Sequence, residues 1–260
     1  MIITANQASV ADSFWLRAIP QEACSENGSV DNIKGVVYYG DSPSVPKTDQ
    51  FPFTDSCDDE TPRLVPHVSK KVQPPGWRSI EDVSLGRNDD NFFRWYLNNT
   101  TLRVYWDDPT LQQIYNRHTH FPESSNVVQL PNADEWVYLV INHTFPITHP
   151  IHLHGHDFFI LAQGLNLWDG SINTDNPPRR DTALLPPGGH LIIGFITDNP
   201  GAWLMHCHIG WHTTEGFALQ FVERESEIRD LIHPQELHST CRTWKRYDRS
   251  HGIVQMDDGI

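Results

Sequence analysis

Two short segments of the chain place histidine or cysteine two residues apart, the spacing of side chains that share one face of a β-strand. The first is His149-Pro-Ile-His-Leu-His-Gly-His156, and the second is Trp203-Leu-Met-His-Cys-His-Ile-Gly-Trp-His212. Together they hold seven of the fifteen histidines and one of the four cysteines. Imidazole and thiolate are ligands that copper, zinc and iron prefer. The pattern therefore predicts a metal centre, with copper favoured.

Strand alternation divides these residues between two sites. In the first segment, His152 and His154 share a face that His149 does not. In the second, Cys207 points away from the histidines on either side of it, because successive side chains of a strand lie on opposite faces. Each segment is therefore expected to contribute to two sites, one on each side of the sheet.

The first predicted site is a His₂Cys set of His149, Cys207 and His212, the ligand pattern of blue-copper electron-transfer centres. Structural zinc is an alternative, since it also takes cysteine and histidine. Zinc would leave a second set of histidines unexplained, and ordinary core histidines would explain neither segment. The second set is predicted to form a histidine-only site and consists of His152, His154, His206 and His208.

Other histidines lack this context. His156 follows Gly155, which ends the alternation, so we expect it to support the site structurally. No metal role is predicted for seven further histidines with no motif around them, which are His118, His120, His143, His190, His233, His238 and His251.

Many short strands separated by turns are expected, because nineteen prolines and sixteen glycines are spread along the chain. This favours an all-β sandwich or small barrel. Short helices are predicted at 109–116 and just after Glu223, and a polar tail at 242–260. The predicted strands lie within 2–19 and at 34–39, 91–97, 102–106, 127–130, 135–141, 157–163, 182–185, 190–196, 201–206 and 217–222.

The charge of the chain restricts its partners. A formal net charge of −14 argues against nucleic acid and anionic membranes. The sequence contains no run of eighteen apolar residues, so no membrane span is predicted. The first residues lack the features of a signal peptide. The sequons at Asn27, Asn98, Asn99 and Asn142 nevertheless indicate a secreted glycoprotein.

Cysteine spacing predicts one disulfide. Cys24 and Cys57 bracket a stretch rich in loops, which a Cys24–Cys57 bridge would restrain. Two unpaired cysteines are the alternative. With Cys207 as a metal ligand, Cys241 is left over, either as a free thiol or paired with a cysteine elsewhere.

The two segments resemble the C-terminal copper signatures of the multicopper oxidases, and among them the fungal, ascomycete-type laccases. The resemblance extends through Asn176-Pro-Pro-Arg-Arg-Asp-Thr182 and into the tail. It implies a cupredoxin-like Greek-key fold and four coppers per complete enzyme: one type 1, one type 2 and two type 3. It implies that His149, Cys207 and His212 bind type 1 copper, His152 type 2 copper, and His154, His206 and His208 the type 3 pair.

The resemblance also implies roles for residues around the type 1 site. The family's axial position, ten residues after the cysteine, is Phe217, which cannot coordinate and should raise the reduction potential. His212 would be the point of electron entry. The walls of a phenol pocket would be Phe145, Ile147 and Trp211, with Phe93 and Trp95 as further candidates.

A family member has three cupredoxin domains, and the resemblance covers only part of that plan. It implies that residues 1–75 are the end of the middle domain with a connector, 76–240 the complete third domain, and 241–260 a C-terminal tail. The partner would be a separate N-terminal part of the same laccase, joined through Cys241. The last residues, Asp257, Asp258, Gly259 and Ile260, resemble a terminus that plugs the channel to the trinuclear copper cluster.

The implied activity is that of a secreted laccase, as in lignin degradation. Phenols or aromatic amines would be oxidised one electron at a time, with electrons passing through His206-Cys207-His208 to the trinuclear cluster that reduces O₂ to water. A ferroxidase-type metal-ion oxidase is one alternative. A non-catalytic cupredoxin fragment that binds copper is another.

Overall fold

The computed structural model describes residues 3–23, 28–29, 33–56, 59, 64–118 and 120–255. These residues belong to two compact units, residues 1–60 and 61–260. In the first unit, strand β1 (Ser13–Arg17) pairs antiparallel with β2 (Lys34–Tyr38). Strand β1 is shorter than the strand expected within 2–19.

A sheet of six strands forms one layer of the second unit. The strands are β3 (Trp77–Arg87), β4 (Phe93–Leu97), β6 (Trp136–Asn142), β8 (Phe158–Leu165), β9 (Arg179–Arg180) and β11 (Gly189–Ile196). Their order in the sheet is β4-β3-β6-β11-β8-β9. Strand β3 pairs antiparallel with β4 and parallel with β6.

A sheet of five strands forms the other layer. The strands are β5 (Val127–Leu130), β7 (His149–Leu153), β10 (Thr182–Leu185), β12 (Gly201–Cys207) and β13 (Ala218–Glu223). Their order in the sheet is β10-β7-β12-β13-β5. Neighbouring strands are antiparallel except for β13 with β5, which is parallel. The all-β prediction is confirmed.

The core lies between the two sheets. Alternate side chains of β6 and β11, such as Leu139 and Ile193, pack in one buried cluster with Ile151 of β7 and Phe221 of β13. Cys207, at the end of β12, belongs to the same cluster. One predicted metal ligand is therefore part of the hydrophobic core.

Helices lie outside the sheets. They are α1 (Thr110–Tyr115), α2 (Gly210–Thr214), α3 (Glu225–Leu231) and α4 (Pro234–His251), with a 3₁₀ turn at Glu123–Ser125. The first and third correspond to the two predicted helices. None of the helices that the structure describes is long and apolar enough to span a membrane.

One sequence prediction of secondary structure is wrong, and one helix was not predicted. Helix α4 extends into the predicted polar tail as far as His251, buries Cys241 and places Trp244 6.0 Å from the ring of Trp106. The strand predicted at 102–106 does not form. The amide of Leu102 donates to Gly216 and that of Arg103 to Ser124, so no ladder with one neighbouring strand develops.

The position of the core predicts that the same change, leucine to alanine, lowers stability much more at a buried site than at an exposed one. Leu139 is fully buried between the sheets, whereas Leu165 is 62% exposed at the end of β8. Leu139→Ala should lower the free energy of unfolding by about 2–5 kcal/mol because it leaves a cavity. Leu165→Ala, the matched control, should change it by less than about 0.5 kcal/mol. Denaturant titration measures both, and equal losses would contradict the two-layer core.

Candidate metal centre

The antiparallel pairing of β7 with β12 brings the two histidine segments side by side. His206 lies opposite His152, and Cys207 lies opposite Ile151. Because neighbours along a strand face opposite ways, His152 and His206 share the outer face of the sheet. Cys207 lies on the inner face with the core.

On the inner face, three side chains converge. His149 begins β7, Cys207 ends β12, and His212 lies in the short helix α2 that follows. Cys207 Sγ is 3.6 Å from the Nδ1 atoms of both histidines, which are 3.2 Å from each other. All three residues are buried.

Burial keeps these groups neutral without a metal. It raises the pKa of the Cys207 thiol to about 12 and lowers the pKa of His149 to about 3, the latter with help from His143 and His212. Burial also lowers the pKa of His212. A neutral imidazole has a lone pair to offer, and a buried thiolate requires a cation beside it.

The donor set fits a metal ion. Two imidazole nitrogens at about 2.0 Å and a thiolate at about 2.3 Å from one ion lie about 3.3–3.8 Å apart, for angles between tetrahedral and trigonal. The distances of 3.2 and 3.6 Å are close to these values. Soft thiolate with imidazole in this His₂Cys pattern is the set that blue-copper sites use.

Aromatic rings surround the inner triad. Trp95 is 2% exposed, and its ring centroid lies 4.7 Å from that of His212 and 5.0 Å from that of His149. It also stacks on Phe217, at 5.4 Å. Phe217 is fully buried, and its ring is 5.0 Å from that of His149. The triad is therefore walled by apolar groups on this side.

The predicted pocket residues divide into exposed and buried ones. Ile147 is 45% exposed and Trp211 69% exposed, and the Trp211 ring lies 5.9 Å from that of His212. Phe145 is partly buried against Trp95. Phe93 is 48% exposed, with the guanidinium of Arg87 4.1 Å from its ring centroid.

On the outer face, a second group of histidines converges. His152, His154 and His206 place ligand nitrogens within 4.8 Å of one another. The Nε2 atoms of His154 and His206 are 3.1 Å apart. The ring of His208 lies 5.7 Å from those of both His152 and His206. His154 and His208 are exposed, so this cluster lies at the surface of the described chain.

In His152 and His206, hydrogen bonds at Nδ1, on the side of the ring away from the cluster, direct Nε2 towards the cluster. His152 Nδ1 lies 2.7 Å from the carbonyl oxygen of Asp181 and 3.0 Å from Thr182 Oγ1. His206 Nδ1 lies 2.9 Å from the carbonyl oxygen of Cys207. Contacts of this kind orient ligand histidines in metal sites. Burial lowers the pKa of His206, so its imidazole is neutral.

The turn after β7 is fixed by a buried pair and by close packing. His156 Nε2 lies 2.8 Å from a carboxylate oxygen of Glu223, and both side chains are almost fully buried. Gly155 has φ +74°, and a Cβ there would lie 2.5 Å from Trp203. A Cβ at Gly201 would lie 2.4 Å from the same indole. Trp203 therefore fills the space beside both glycines.

His143 was assigned no role from the sequence, yet it lies beside the triad. Its ring centroid is 5.0 Å from that of His149, and its Nε2 hydrogen-bonds to the carbonyl oxygen of Pro186. It is 3% exposed. It follows strand β6, far in sequence from both segments, so no spacing pattern could reveal this contact.

Some predictions fall outside the described residues. These are the Cys24–Cys57 disulfide, the sequon at Asn27 and the terminal plug of Asp257, Asp258, Gly259 and Ile260. Cys241 is described. It is 6% exposed and carries a free thiol.

Comparison with known proteins assigns the chain to a family. The multicopper oxidase family model matches residues 87–227, more than half of the chain. The chain belongs to the multicopper oxidase family. The cupredoxin-like prediction is thereby confirmed, and copper is the metal that the family implies for the fitted donor sets.

Fungal laccases are among the similar proteins. Laccase-2 of Botryotinia fuckeliana is 39% identical over 273 residues, covering 100% of this chain and 46% of that protein. The crystal structure of a laccase from Botrytis aclada superposes with a TM-score of 0.77 at 39% identity, covering 96% of this chain and 48% of that one. The chain thus spans about half the length of the relatives it matches.

A more distant structure shares the fold. Fet3p, a multicopper oxidase that functions in iron import, superposes with a TM-score of 0.62 at 24% identity, covering 88% of this chain and 46% of that one. At this identity the likeness concerns the fold alone.

The tight turn before Phe217, which follows the inner triad, can be tested by substitution of its glycine. Gly216 has φ +95°, and a Cβ there would lie 1.9 Å from Thr101 Oγ1 and 3.2 Å from the backbone of Leu102. Gly216→Ala should therefore cost about 1–3 kcal/mol of unfolding free energy. Gly210→Ala is the control, because no atom lies within 4 Å of its Cβ. Denaturant titration compares them, and equal stability of the two variants would contradict this packing.

Proposed function

We propose that this chain is the C-terminal part of a laccase, active when assembled with an N-terminal part. When bound, copper supplies one-electron oxidation of phenols or aromatic amines and reduction of O₂ to water. One observation carries the proposal. Cys207 lies with His149 and His212 on one face of β12, while its sequence neighbours lie on the other face.

The ligand assignments follow the two faces of the sheet. The inner triad would hold type 1 copper, in a buried donor set that fits a His₂Cys ion. The outer cluster would hold its share of a trinuclear site with one type 2 and two type 3 coppers. We assign His152 to type 2 copper and His154, His206 and His208 to the type 3 pair.

The protein links the two sites by a short covalent path. Cys207 Sγ belongs to the inner triad, and the peptide bonds of the same residue lead directly to His206 and His208. The hydroxyl of Thr213 donates to the carbonyl oxygen of Cys207, which His206 Nδ1 also contacts. These bonds keep the path rigid, as electron transfer between fixed sites requires.

The surface beside His212 supports an aromatic substrate. Trp211 presents apolar surface to solvent next to this ligand. Ile147 is 45% exposed and lies two residues before His149 in the sequence. Apolar walls suit flat phenolic rings. A ferroxidase would call for free carboxylates here. Glu215 accepts the indole N–H of Trp95 at 3.2 Å, so its carboxylate is already engaged with the protein. Phe145 and Phe93 complete the proposed wall, whereas buried Trp95 shields the triad.

A missing half-site supports the proposed partner. A trinuclear centre of this family needs eight imidazoles, and the outer cluster offers four that lie at the surface. We propose that the N-terminal part of the same laccase supplies the others and is joined through the free thiol of Cys241. Within this scheme residues 1–75 end the middle domain, 76–240 form the third domain, and 241–260 form the tail, whose last residues would plug the oxygen channel.

Secretion and glycosylation belong to the same proposal. Of the overlapping sequons, the Asn98 side-chain amide donates to the carbonyl of Ile80 and to Glu81, at 2.7 and 2.8 Å. Asn98 and Asn99 are both exposed. The hydrogen bonds of the Asn98 amide therefore support Asn99 over Asn98 as the glycan acceptor.

Cysteine substitution in the complete assembly tests the function. Cys207→Ser should abolish the blue type 1 absorption and lower phenol-dependent oxygen uptake at least 100-fold, because no thiolate remains. Cys241→Ser is the control and should retain the blue absorption. Copper analysis and oxygen electrode measurements follow both. A wild-type assembly that binds a single copper and consumes no oxygen would instead indicate a binding module.

Substitution of the proposed axial residue tests the type 1 assignment. Phe217→Met should lower the type 1 reduction potential, because a thioether sulfur stabilises Cu(II) relative to Cu(I). Phe217→Leu also removes the ring but supplies no ligand, so its potential should stay above that of the Met variant. Redox titration of the blue absorption measures both. An unchanged or higher potential in Phe217→Met would overturn the axial assignment.

A further inference from the structure

Two buried ring nitrogens beside the inner triad have no hydrogen-bond partner among the described residues: His143 Nδ1 and His149 Nε2. The two rings are neighbours, with centroids 5.0 Å apart and planes at 71°. Leaving a buried polar atom unpaired costs about 1–3 kcal/mol, so such atoms call for an explanation.

The proton positions of the two rings are complementary. Pro186 offers His143 Nε2 a carbonyl oxygen, which can only accept. The Nε2 atom of His143 therefore carries the proton, and its Nδ1 is left with a lone pair. His149 Nδ1 faces Cys207 Sγ and His212 Nδ1, so Nδ1 is its ligand atom and the proton belongs on Nε2. One ring has a spare acceptor and the other a spare donor.

The position of His143 is fixed independently of the metal. Its amide donates to the carbonyl oxygen of Gly189 at 3.1 Å, across the end of the β6–β11 pair. Two imidazoles joined by an N–H···N bond of about 2.9–3.0 Å have centroids roughly 5 Å apart. The observed centroid separation of 5.0 Å is close to that value, so the two rings are near enough for these nitrogens to pair.

We propose that His143 is a positioning residue for the type 1 copper, accepting the Nε2–H of His149 through its own Nδ1. This rests on the proposed function, because it takes the triad to be a copper site. A hydrogen-bonded N–H fixes the tautomer and orientation of a ligand histidine and makes it a stronger donor. A stronger donor stabilises Cu(II), so His143 holds the type 1 potential lower than the apolar surroundings alone would.

Three variants of the complete, copper-loaded assembly separate the two contacts of His143. His143→Phe removes both nitrogens and keeps a ring. His143→Gln keeps a donor near Pro186 but loses the acceptor, because its amide reaches the place of Nε2. His143→Asn keeps an acceptor near the place of Nδ1 and loses the contact with Pro186. The Phe and Gln variants should show a higher type 1 potential and about 10–100-fold weaker copper binding at that site. The Asn variant should stay near wild type.

Pulsed electron paramagnetic resonance supplies a second readout, because the remote nitrogen of a copper-bound imidazole reports its own hydrogen bonding. Its signal should change in the Phe and Gln variants and persist in the Asn variant. The inference would be overturned if the potential depended on the contact with Pro186 instead. In that case the Gln variant would have the wild-type potential and the Asn variant would have that of the Phe variant. So would a wild-type signal and potential retained in the folded Phe variant. A wild-type assembly without type 1 copper would refute the proposed function itself.

Discussion

The register of β7 against β12 is the constraint on which both candidate metal sites depend. His206 lies opposite His152, and Cys207 opposite Ile151. A slip of one residue would move every side chain of one strand to the other face. Cys207 would then leave the core and His206 would enter it. Packing of Ile151 and Met205 between the sheets, where both are fully buried, therefore keeps the ligands on their correct sides.

The two sites differ in how they meet solvent, and this follows from their faces. The inner triad is enclosed by Trp95, Phe217 and the core, so its ligands are neutral and desolvated before a metal binds. The outer histidines lie at the surface of the described chain, where His154 and His208 are exposed. Under the proposed function, the inner site is complete within this chain, whereas the outer site would take its other ligands from the N-terminal part.

Sequence reasoning could predict the parts of the fold and site that depend on local geometry. Strand alternation alone separates Cys207 from His206, and short apolar runs mark strands such as β6 and β11. Contacts between distant segments are invisible to such patterns. Trp95 could not be placed inside the aromatic shell, nor His143 beside His149, because each position depends on how β4 and β6 cross the five-stranded sheet. The helix α4 was missed because its burial of Cys241 is a tertiary contact.

Trp203, packed beside Gly155 and Gly201, has a consequence for how sequences of this kind can diverge. The three positions share one volume, since a Cβ at either glycine would lie within 2.5 Å of the indole. A larger residue at 201 is compatible only with a smaller one at 203, so these two should change together, whereas φ +74° favours glycine at 155 whatever stands at 203. Gly155 adjoins His154, so substitutions that compensate one another within this volume would also preserve the position of His154, although none of these three residues is itself a candidate metal ligand.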